Sequence, residues 1–357
     1  MARYRIGVLH GDGIGPEVVR SGLEVLNAAL RKGGKTDIEF VTLPMGWEAI
    51  RQHGDPMPAF TKEALKETDG WIMGPHDSAS YPPKFQQGRN PSGDLRHDFD
   101  LFANIRPART LPGVPSIAGE ADLIIVRENT EGFYSDRNMY AGSGEWHVTE
   151  DVVITSGVFT RRAITRIAHE AFRLARRRRK KVTVVHKANV IRLGSGMFLN
   201  VCREVAREYP DVEVDESHID AVTVHLVRRM RDFDVIVTEN MFGDILSDLT
   251  AELAGSLGLA PSINANGRQA MAQAVHGAAP DIAGQNVANP CGLILSAVML
   301  LDWLAARNGD DSLADVARRM ERGVLQTLQD GVKTRDLGGT ASTTEFTKAV
   351  CERIGNG

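Results

Sequence analysis

The chain has 357 residues, 42% hydrophobic and 25% charged, a balance that fits a globular protein of about two domains and excludes a disordered one. Its 42 basic and 46 acidic residues leave a net charge of -4, which argues against a strongly basic nucleic-acid binder. The three cysteines, Cys202, Cys291 and Cys351, lie far apart and fit neither a disulfide scaffold nor a zinc or iron–sulfur motif. The first residues lack the apolar core of a signal peptide, and no apolar run reaches the roughly 18 residues that span a bilayer. A soluble, cytoplasmic protein without a membrane or nucleic-acid partner is expected.

In chain order, residues 5–10 (RIGVLH) read as a buried strand, and 16–32 place apolar residues at helical spacing. Further strands are expected at 38–43, 123–126, 182–185 and 233–238. Helical patterns cover 159–179, 197–208, 243–257, 290–307, 312–330 and 343–354. Strands separated by helices of this length predict an α/β fold with mostly parallel pairing. Residues 74–93, rich in Pro, Gly, Ser and Asn, predict a long polar loop of the kind that serves function. No flexible linker divides the chain, so two domains would be interwoven.

Several segments could carry chemistry. Gly11-Asp12-Gly13-Ile14-Gly15-Pro16-Glu17 follows the first strand, but Pro16 stands where a dinucleotide fingerprint needs glycine. Pro16 suits the first position of a helix, so the segment is either a tight turn or a helix N-terminus facing an anion. Asp244 and Asp248 are i,i+4 on a predicted helix and share one face. They either complement the helix dipole or present oxygens to a hard divalent cation, Mg²⁺ or Mn²⁺.

Arg96, Arg106 and Arg127 lie in or beside apolar stretches, where a guanidinium needs a partner. Singly each fits an internal ion pair; together they suggest a di- or tricarboxylate substrate, which arginine grips in bidentate fashion. Lys187 ends a β-branched strand, where partial loss of water would fit it as a base. Tyr134 could be packing, surface or an acid. The loop from His276 to Asn289, with Asp281 inside it, is either a connecting turn or a backbone cradle whose carboxylate holds a ribose diol. The run RRRRKK at 176–181 is expected to be a solvated helix end, with polyanion contact as the alternative.

The ordered set GDGIGPE, LFANIRP, VRENTEG, HKANV, Ile219-Asp220, FGDILSD and HGAAPDIAG…NP resembles the metal-dependent β-decarboxylating dehydrogenases, the isocitrate/isopropylmalate dehydrogenase family, nearly end to end. The resemblance implies that family's own two-domain α/β fold, not a Rossmann domain. A large cofactor-binding domain would comprise 1–104 and 255–357, and a small domain 105–254 would carry the metal site and dimer interface. Arg96, Arg106 and Arg127 would bind the carboxylates of a malate moiety. Asp220, Asp244 and Asp248 would ligate Mg²⁺ or Mn²⁺. Lys187 would be the base and Tyr134 the acid. Lys187 and Asp220 would serve the neighbouring subunit of a homodimer. His276, Gly277, Ala278, Asp281, Ile282 and Asn289 would line the adenosine side of the dinucleotide, and Asp281 implies NAD over NADP.

Where isopropylmalate enzymes carry two leucines before the first arginine, this chain has Ser92 and Gly93, and Asn90-x-Ser92 stands in place of the Ser-x-Asn of isocitrate enzymes. Asn90 and Ser92 are therefore candidate substrate contacts. The expected activity is NAD- and metal-dependent oxidative decarboxylation of D-malate or a 3-substituted malate. The alternatives are 3-isopropylmalate, isocitrate or homoisocitrate as substrate, and, more remotely, a non-catalytic regulatory subunit.

Overall fold

A computed structural model of the protein describes residues 3–33, 36–86, 88–134, 136, 138–139 and 142–356; Gln87 of the expected 74–93 loop lies outside them. The chain runs β1 (Arg3–Leu9), α1 (Gly15–Gly33), β2 (Asp37–Thr42), α2 (Gly46–His53), α3 (Ala59–Lys66), β3 (Gly70–Met73), α4 (Pro83–Gln86) and α5 (Pro91–Asp98). It continues through β4 (Ala103–Arg109), β5 (Asp122–Glu128), β6 (Glu145–Thr149), β7 (Val152–Thr155), α6 (Arg161–Arg176), β8 (Lys181–His186) and α7 (Gly194–Ala206). Then come β9 (Glu213–His218), α8 (Ile219–Arg229), β10 (Val235–Thr238), α9 (Asn240–Ala254), β11 (Ile263–Ala265), β12 (Ala270–Ala272), α10 (Cys291–Asn308), α11 (Asp311–Gln329) and α12 (Thr343–Asn356).

The chain forms two compact units. The first comprises Met1–Leu95, Thr110–Pro115 and Gly255–Gly357; the second comprises Arg96–Arg109 and Ser116–Ala254. The crossover after Leu95 precedes the boundary expected after residue 104. The reason is the β4 ladder, in which Ala103 and Asn104 already pair with Glu128 and Arg127 of β5.

In the first unit the strands lie in the order β2-β1-β3-β12-β11, parallel except for β11 against β12. α1 buries Val18, Val19, Gly22, Val25, Leu26 and Ala29, one stripe at helical spacing. α10 is the one described helix long and apolar enough to cross a membrane by length and composition. Within the unit it packs against α11 and α1, and 67% of its most apolar window is buried. A helix hydrophobic all round suits such a core position.

In the second unit the order is β4-β5-β10-β8-β9, antiparallel only between β4 and β5. The central strands are buried on both faces, as parallel strands flanked by helices must be. Leu123, Ile125, Val185, Ile236, Val222, Leu226 and Leu246 meet in its core. β6 and β7 form a separate antiparallel arm, exposed throughout, with Trp146, Val148, Val153 and Ile154 on its surface.

Two expectations change. The 74–93 stretch is not a structureless loop: it contains α4 and the first residues of α5, and Tyr81 within it is buried. The predicted helix 159–179 stops at Arg176, because the following basic residues turn to bind acids. Arg178 donates to the buried Asp234 at 2.8 Å and to Asp122 at 2.9 Å, and Lys181 reaches Asp215 at 3.1 Å. The run is a solvated helix end, with Arg176, Arg177, Arg179 and Lys180 exposed, that also reaches nearby acids.

Candidate active site

The Gly11–Glu17 segment is a fastening turn. The Asp12 carboxylate is buried and accepts hydrogen bonds from the Trp47 amide at 2.7 Å, the Asp77 amide at 2.9 Å and the Tyr81 hydroxyl. At Gly13 the backbone is left-handed, and a Cβ there would stand 2.0 Å from the Ala278 carbonyl oxygen. The Ile14 amide donates to that same oxygen at 2.9 Å. The amides of Gly15, Glu17 and Val18 donate to Asp12, Ile14 and Ile14 in turn, and Pro16 has none. The start of α1 therefore spends its amides internally, which removes the anion-facing alternative.

The second unit brings together five of the predicted residues. Arg106 comes from β4, Arg127 from β5, Tyr134 from the segment after β5, and Asp244 and Asp248 from α9. Arg127 donates through Nη1 to Asp244 Oδ1, and Arg106 Nη1 reaches the same oxygen at 3.2 Å. Arg106 Nη1 also lies 3.6 Å from Asp248 Oδ1. The Tyr134 hydroxyl donates to Asp244 Oδ2 at 3.0 Å, and the Arg127 guanidinium stands 5.7 Å over the Tyr134 ring.

Burial works to raise the Asp244 carboxyl, but Arg127, Arg106 and Arg96 outweigh it and hold the group at about 2. Burial pushes Asp248 upward, and neighbouring Asp244 adds to the push. Burial, with the like charge of Arg127, draws Arg106 down to about 10, still charged at neutrality. The first residues of α9 offer an all-oxygen face with a half-exposed Asp248 carboxylate, a donor set that fits a hard divalent cation.

Lys187 and Asp220 form a pair of their own, Nζ donating to Oδ1 at 2.6 Å. That hydrogen bond is the largest influence holding Asp220 below the usual carboxylate range. Among the described residues no three His, Cys, Asp or Glu side chains are grouped to hold a metal ion. Asp220, Asp244 and Asp248 are therefore not assembled within one chain.

The 276–289 loop belongs to the first unit. The His276 ring is bonded at Nδ1 to the Gly277 carbonyl oxygen at 3.0 Å, while its Nε2 is buried without a hydrogen-bond partner among the described residues. Burial holds this imidazole below its ordinary range. Gly277 is exposed and Ala278 is buried against the turn at Gly13. Asp281, exposed, and Ile282 occupy a short 3₁₀ turn that follows Ala279. Asn289 donates from Nδ2 to Asp336 at 2.9 Å and accepts from the Cys291 amide at 3.0 Å. An orphaned imidazole nitrogen on the same loop as an exposed carboxylate fits a polar ligand such as an adenosine moiety.

Asn90 and Ser92 play a more structural part than expected. Asn90 Oδ1 accepts from the Gly93 amide at 2.8 Å and from Ser92 Oγ at 3.2 Å, capping α5. Ser92 is buried, with Oγ 3.1 Å from His76 Nε2.

Sequence reasoning passed over Asn104, Asn240 and Gly243. Asn240 Oδ1 accepts from Arg127 Nε at 2.9 Å and Nη2 at 2.7 Å, and Asn104 Oδ1 accepts from Arg106 Nε at 2.6 Å. A Cβ at Gly243 would lie 2.6 Å from Arg127 Cγ, so glycine lets the arginine lie flat along α9. The available signal was adjacency: Asn104 stands two residues before an arginine, and Asn240 and Gly243 precede an aspartate.

Residues 5–350 match the family model described as isocitrate/isopropylmalate dehydrogenase. An isocitrate/homoisocitrate dehydrogenase of Thermus thermophilus is 41% identical over 355 residues, 98% of each chain. A 3-isopropylmalate dehydrogenase of Archaeoglobus fulgidus is 40% identical over 353 residues, 98% of this chain and 99% of that one. A crystal structure of isocitrate dehydrogenase from Methylococcus capsulatus aligns with a TM-score of 0.88 at 36% identity, covering 98% of this chain and 99% of that one. The chain belongs to the isocitrate/isopropylmalate dehydrogenase family. Its mixed, mostly parallel α/β fold is the fold of that family, and the protein is an oxidoreductase of the decarboxylating dehydrogenase class.

Proposed function

We propose that the protein oxidises and decarboxylates a malate-type acid, D-malate or a malate with a small polar 3-substituent, using NAD and Mg²⁺ or Mn²⁺. The observation that carries this reading is the cluster of Arg106, Arg127, Tyr134, Asp244 and Asp248, which sets unspent guanidinium N–H groups beside paired carboxylates. Arg106 and Arg127, with Arg96, grip the substrate carboxylates. Asp244 and Asp248, with Asp220 from a second subunit, hold the cation. When bound, the dinucleotide accepts hydride from C2 and the cation polarises the oxygen there. Lys187 takes the hydroxyl proton. The carboxyl group β to the new ketone leaves as CO₂, its electron pair remains on C3, and the Tyr134 hydroxyl supplies the proton that C3 then needs.

Asn90 and Ser92 at the start of α5 support a polar or small 3-substituent. Ser92 and Gly93 offer little apolar surface, and Tyr81 is buried with its hydroxyl on Asp12 and its ring edge-on to Trp47. At ~0.8 kcal/mol per buried CH₂, forgoing contact with an isopropyl group costs about 2 kcal/mol of discrimination. The relatives' printed names differ in the acid, so the test is direct. D-malate, tartrate, isocitrate, homoisocitrate and 3-isopropylmalate are assayed with Mn²⁺ and either dinucleotide. The expected result is the highest kcat/KM for D-malate or a polar analogue; a maximum for 3-isopropylmalate overturns the pocket reading, and no turnover at all overturns the function.

The active form is a cytoplasmic homodimer in this reading. Support comes from the second unit, where exposed apolar side chains lie on α8 (Val224, Val227), on α9 (Ile245) and on the β6–β7 arm. Mixing inactive Lys187→Ala with inactive Tyr134→Phe should restore activity in hybrid sites. Full activity of separated monomers would defeat the shared site.

A further inference from the structure

In the second unit, other folded arginines donate Nε–H to a carboxylate: Arg176 to Asp211 at 2.9 Å, Arg178 to Asp234 at 2.8 Å and Arg203 to Glu216 at 3.0 Å. Arg106 and Arg127 are held differently: they share one carboxylate, Asp244, and meet it through Nη1 rather than Nε. Their Nε–H groups go to the amide oxygens of Asn104 and Asn240, which are 0% and 1% exposed. The two asparagines come from unrelated places, one in β4 and one at the start of α9. The same neutral acceptor thus meets the same edge of both arginines.

The orientation of Asn240 follows from its partners. Arginine only donates and a backbone carbonyl only accepts. Oδ1 therefore faces Arg127, and Nδ2 donates to the Glu131 carbonyl oxygen at 2.9 Å. A guanidinium has five N–H groups in a rigid fork. In Arg127, Asn240 takes one on Nε and one on Nη2, and Asp244 takes one on Nη1. Among the described residues one N–H is left on each Nη, available to a carboxylate. In Arg106, Asn104 takes Nε–H, Asp244 and Ser247 take Nη1, and Nη2 has no hydrogen-bond partner among the described residues.

We propose that Asn104 and Asn240 are positioning residues that fix the planes of Arg106 and Arg127 while leaving their charge for a substrate carboxylate. This rests on the reading of the cluster as a carboxylate-binding site. An aspartate in either place would orient the fork equally well and cancel the charge that the substrate needs. An alanine would leave the charge and release the fork.

The test compares Asn104→Asp, Asn104→Ala and Asn240→Ala with Thr238→Val. The control, which lies opposite Arg127 in the β5–β10 ladder, loses a buried hydroxyl that donates to the Val185 carbonyl oxygen and not to either arginine's asparagine. Two readings are taken: steady-state kinetics for acid and dinucleotide, and hydrogen exchange of arginine Nε–H groups by ¹⁵N NMR. In the alanine variants exchange should accelerate and the KM for the acid should rise by at least ~10-fold, with the dinucleotide KM unchanged. In Asn104→Asp exchange should stay slow while the KM for the acid still rises ~10-fold, a separation that a merely structural residue would not produce. The proposal is overturned if KM stays within ~2-fold of the unmodified enzyme in all three variants, or if Thr238→Val shows the same rise. If the unmodified enzyme turns over none of the acids, the proposed function fails, and the exchange rates alone decide whether the asparagines hold the arginines.

Discussion

The dipeptide Gly-Asp occurs at two strand-to-helix transitions, Gly11-Asp12 in the first unit and Gly243-Asp244 in the second, with opposite consequences. Asp12 is buried and meets only neutral donors: two amides and the Tyr81 hydroxyl. Its oxygens close a knot of three chain segments. Asp244 meets two guanidiniums and a phenol, and their charge holds it ionised far below the usual range. The glycines differ as well. Gly11 supplies a left-handed backbone, whereas Gly243 has an ordinary conformation and is small because Arg127 lies against it. An aspartate whose partners are neutral and internal is a fastener. One held between arginines that keep N–H groups in reserve is a charged centre.

The comparison is broken most directly at the charged centre. Asp244→Asn should lower kcat/KM by about 10³-fold, ~4 kcal/mol on the barrier, with the fold retained. The unmodified enzyme should lose activity to a chelator and regain it with Mg²⁺ or Mn²⁺. Full metal-independent activity in Asp244→Asn would erase the distinction between the two aspartates. At the fastener the effect should move from rate to stability. Asp12→Ala strands three donors and should cost about 3 kcal/mol in denaturant unfolding, with kcat of the folded enzyme within ~3-fold of normal. A stable but inactive Asp12→Ala would show that the turn does more than fasten.

This distinction also marks how far the sequence could be read. Long amphipathic helices such as α1 and α11 and the buried β-branched strands were legible because periodicity and length act locally. β11 and β12, three residues each, carry no such signal; they pair with each other, and β12 also lies along the distant β3. The β6–β7 arm was invisible because its apolar residues face outward. In the site, Arg106, Arg127, Asp244 and Asp248 stood out as charges in or beside apolar stretches. Asn104 and Asn240 did not, since a neutral amide in a strand or at a helix start is unremarkable until its partners are known. The 74–93 stretch looked like a free loop because nothing in it announces that Tyr81 is anchored on Asp12, far earlier in the chain.

A third carboxylate sharpens the contrast by having a single side-chain partner among the described residues. Glu239, buried at the end of β10, accepts from the Ser195 hydroxyl, and burial lifts its carboxyl to about 7. A raised folded-state value means that the folded protein binds the proton more tightly than the unfolded chain. The associated stability is present at low pH and is lost as pH rises through about 7. Between pH 5 and pH 8 the unmodified protein should lose about 2 kcal/mol relative to Glu239→Gln, whose amide oxygen accepts from Ser195 without ionising. Parallel stability curves for the two proteins across that range would place the Glu239 proton elsewhere.

The smallest effect tests whether an unspent carboxylate in the first unit is a charged centre of the same kind. Asp281 is exposed on a 3₁₀ turn, and its side chain has no hydrogen bond or ion pair among the described residues; only its backbone oxygen is engaged, by Gln285 at 2.8 Å. Its oxygens are free to accept from the two hydroxyls of an adenosine ribose. A 2′-phosphate would set about two negative charges beside that carboxylate. No lysine or arginine lies between His276 and Asn289 to offset them. NAD⁺ should therefore be preferred over NADP⁺ by at least ~10-fold in kcat/KM, a difference of about 1.4 kcal/mol. Asp281→Lys with Ile282→Tyr replaces the repulsion by a cation and a ring that can cover the phosphate. That double variant should erode or invert the preference and leave the metal requirement intact, because the proposed cation ligands Asp220, Asp244 and Asp248 belong to α8 and α9. An unmodified enzyme faster with NADP⁺ at matched sub-saturating concentrations would make Asp281 an ordinary exposed surface acid.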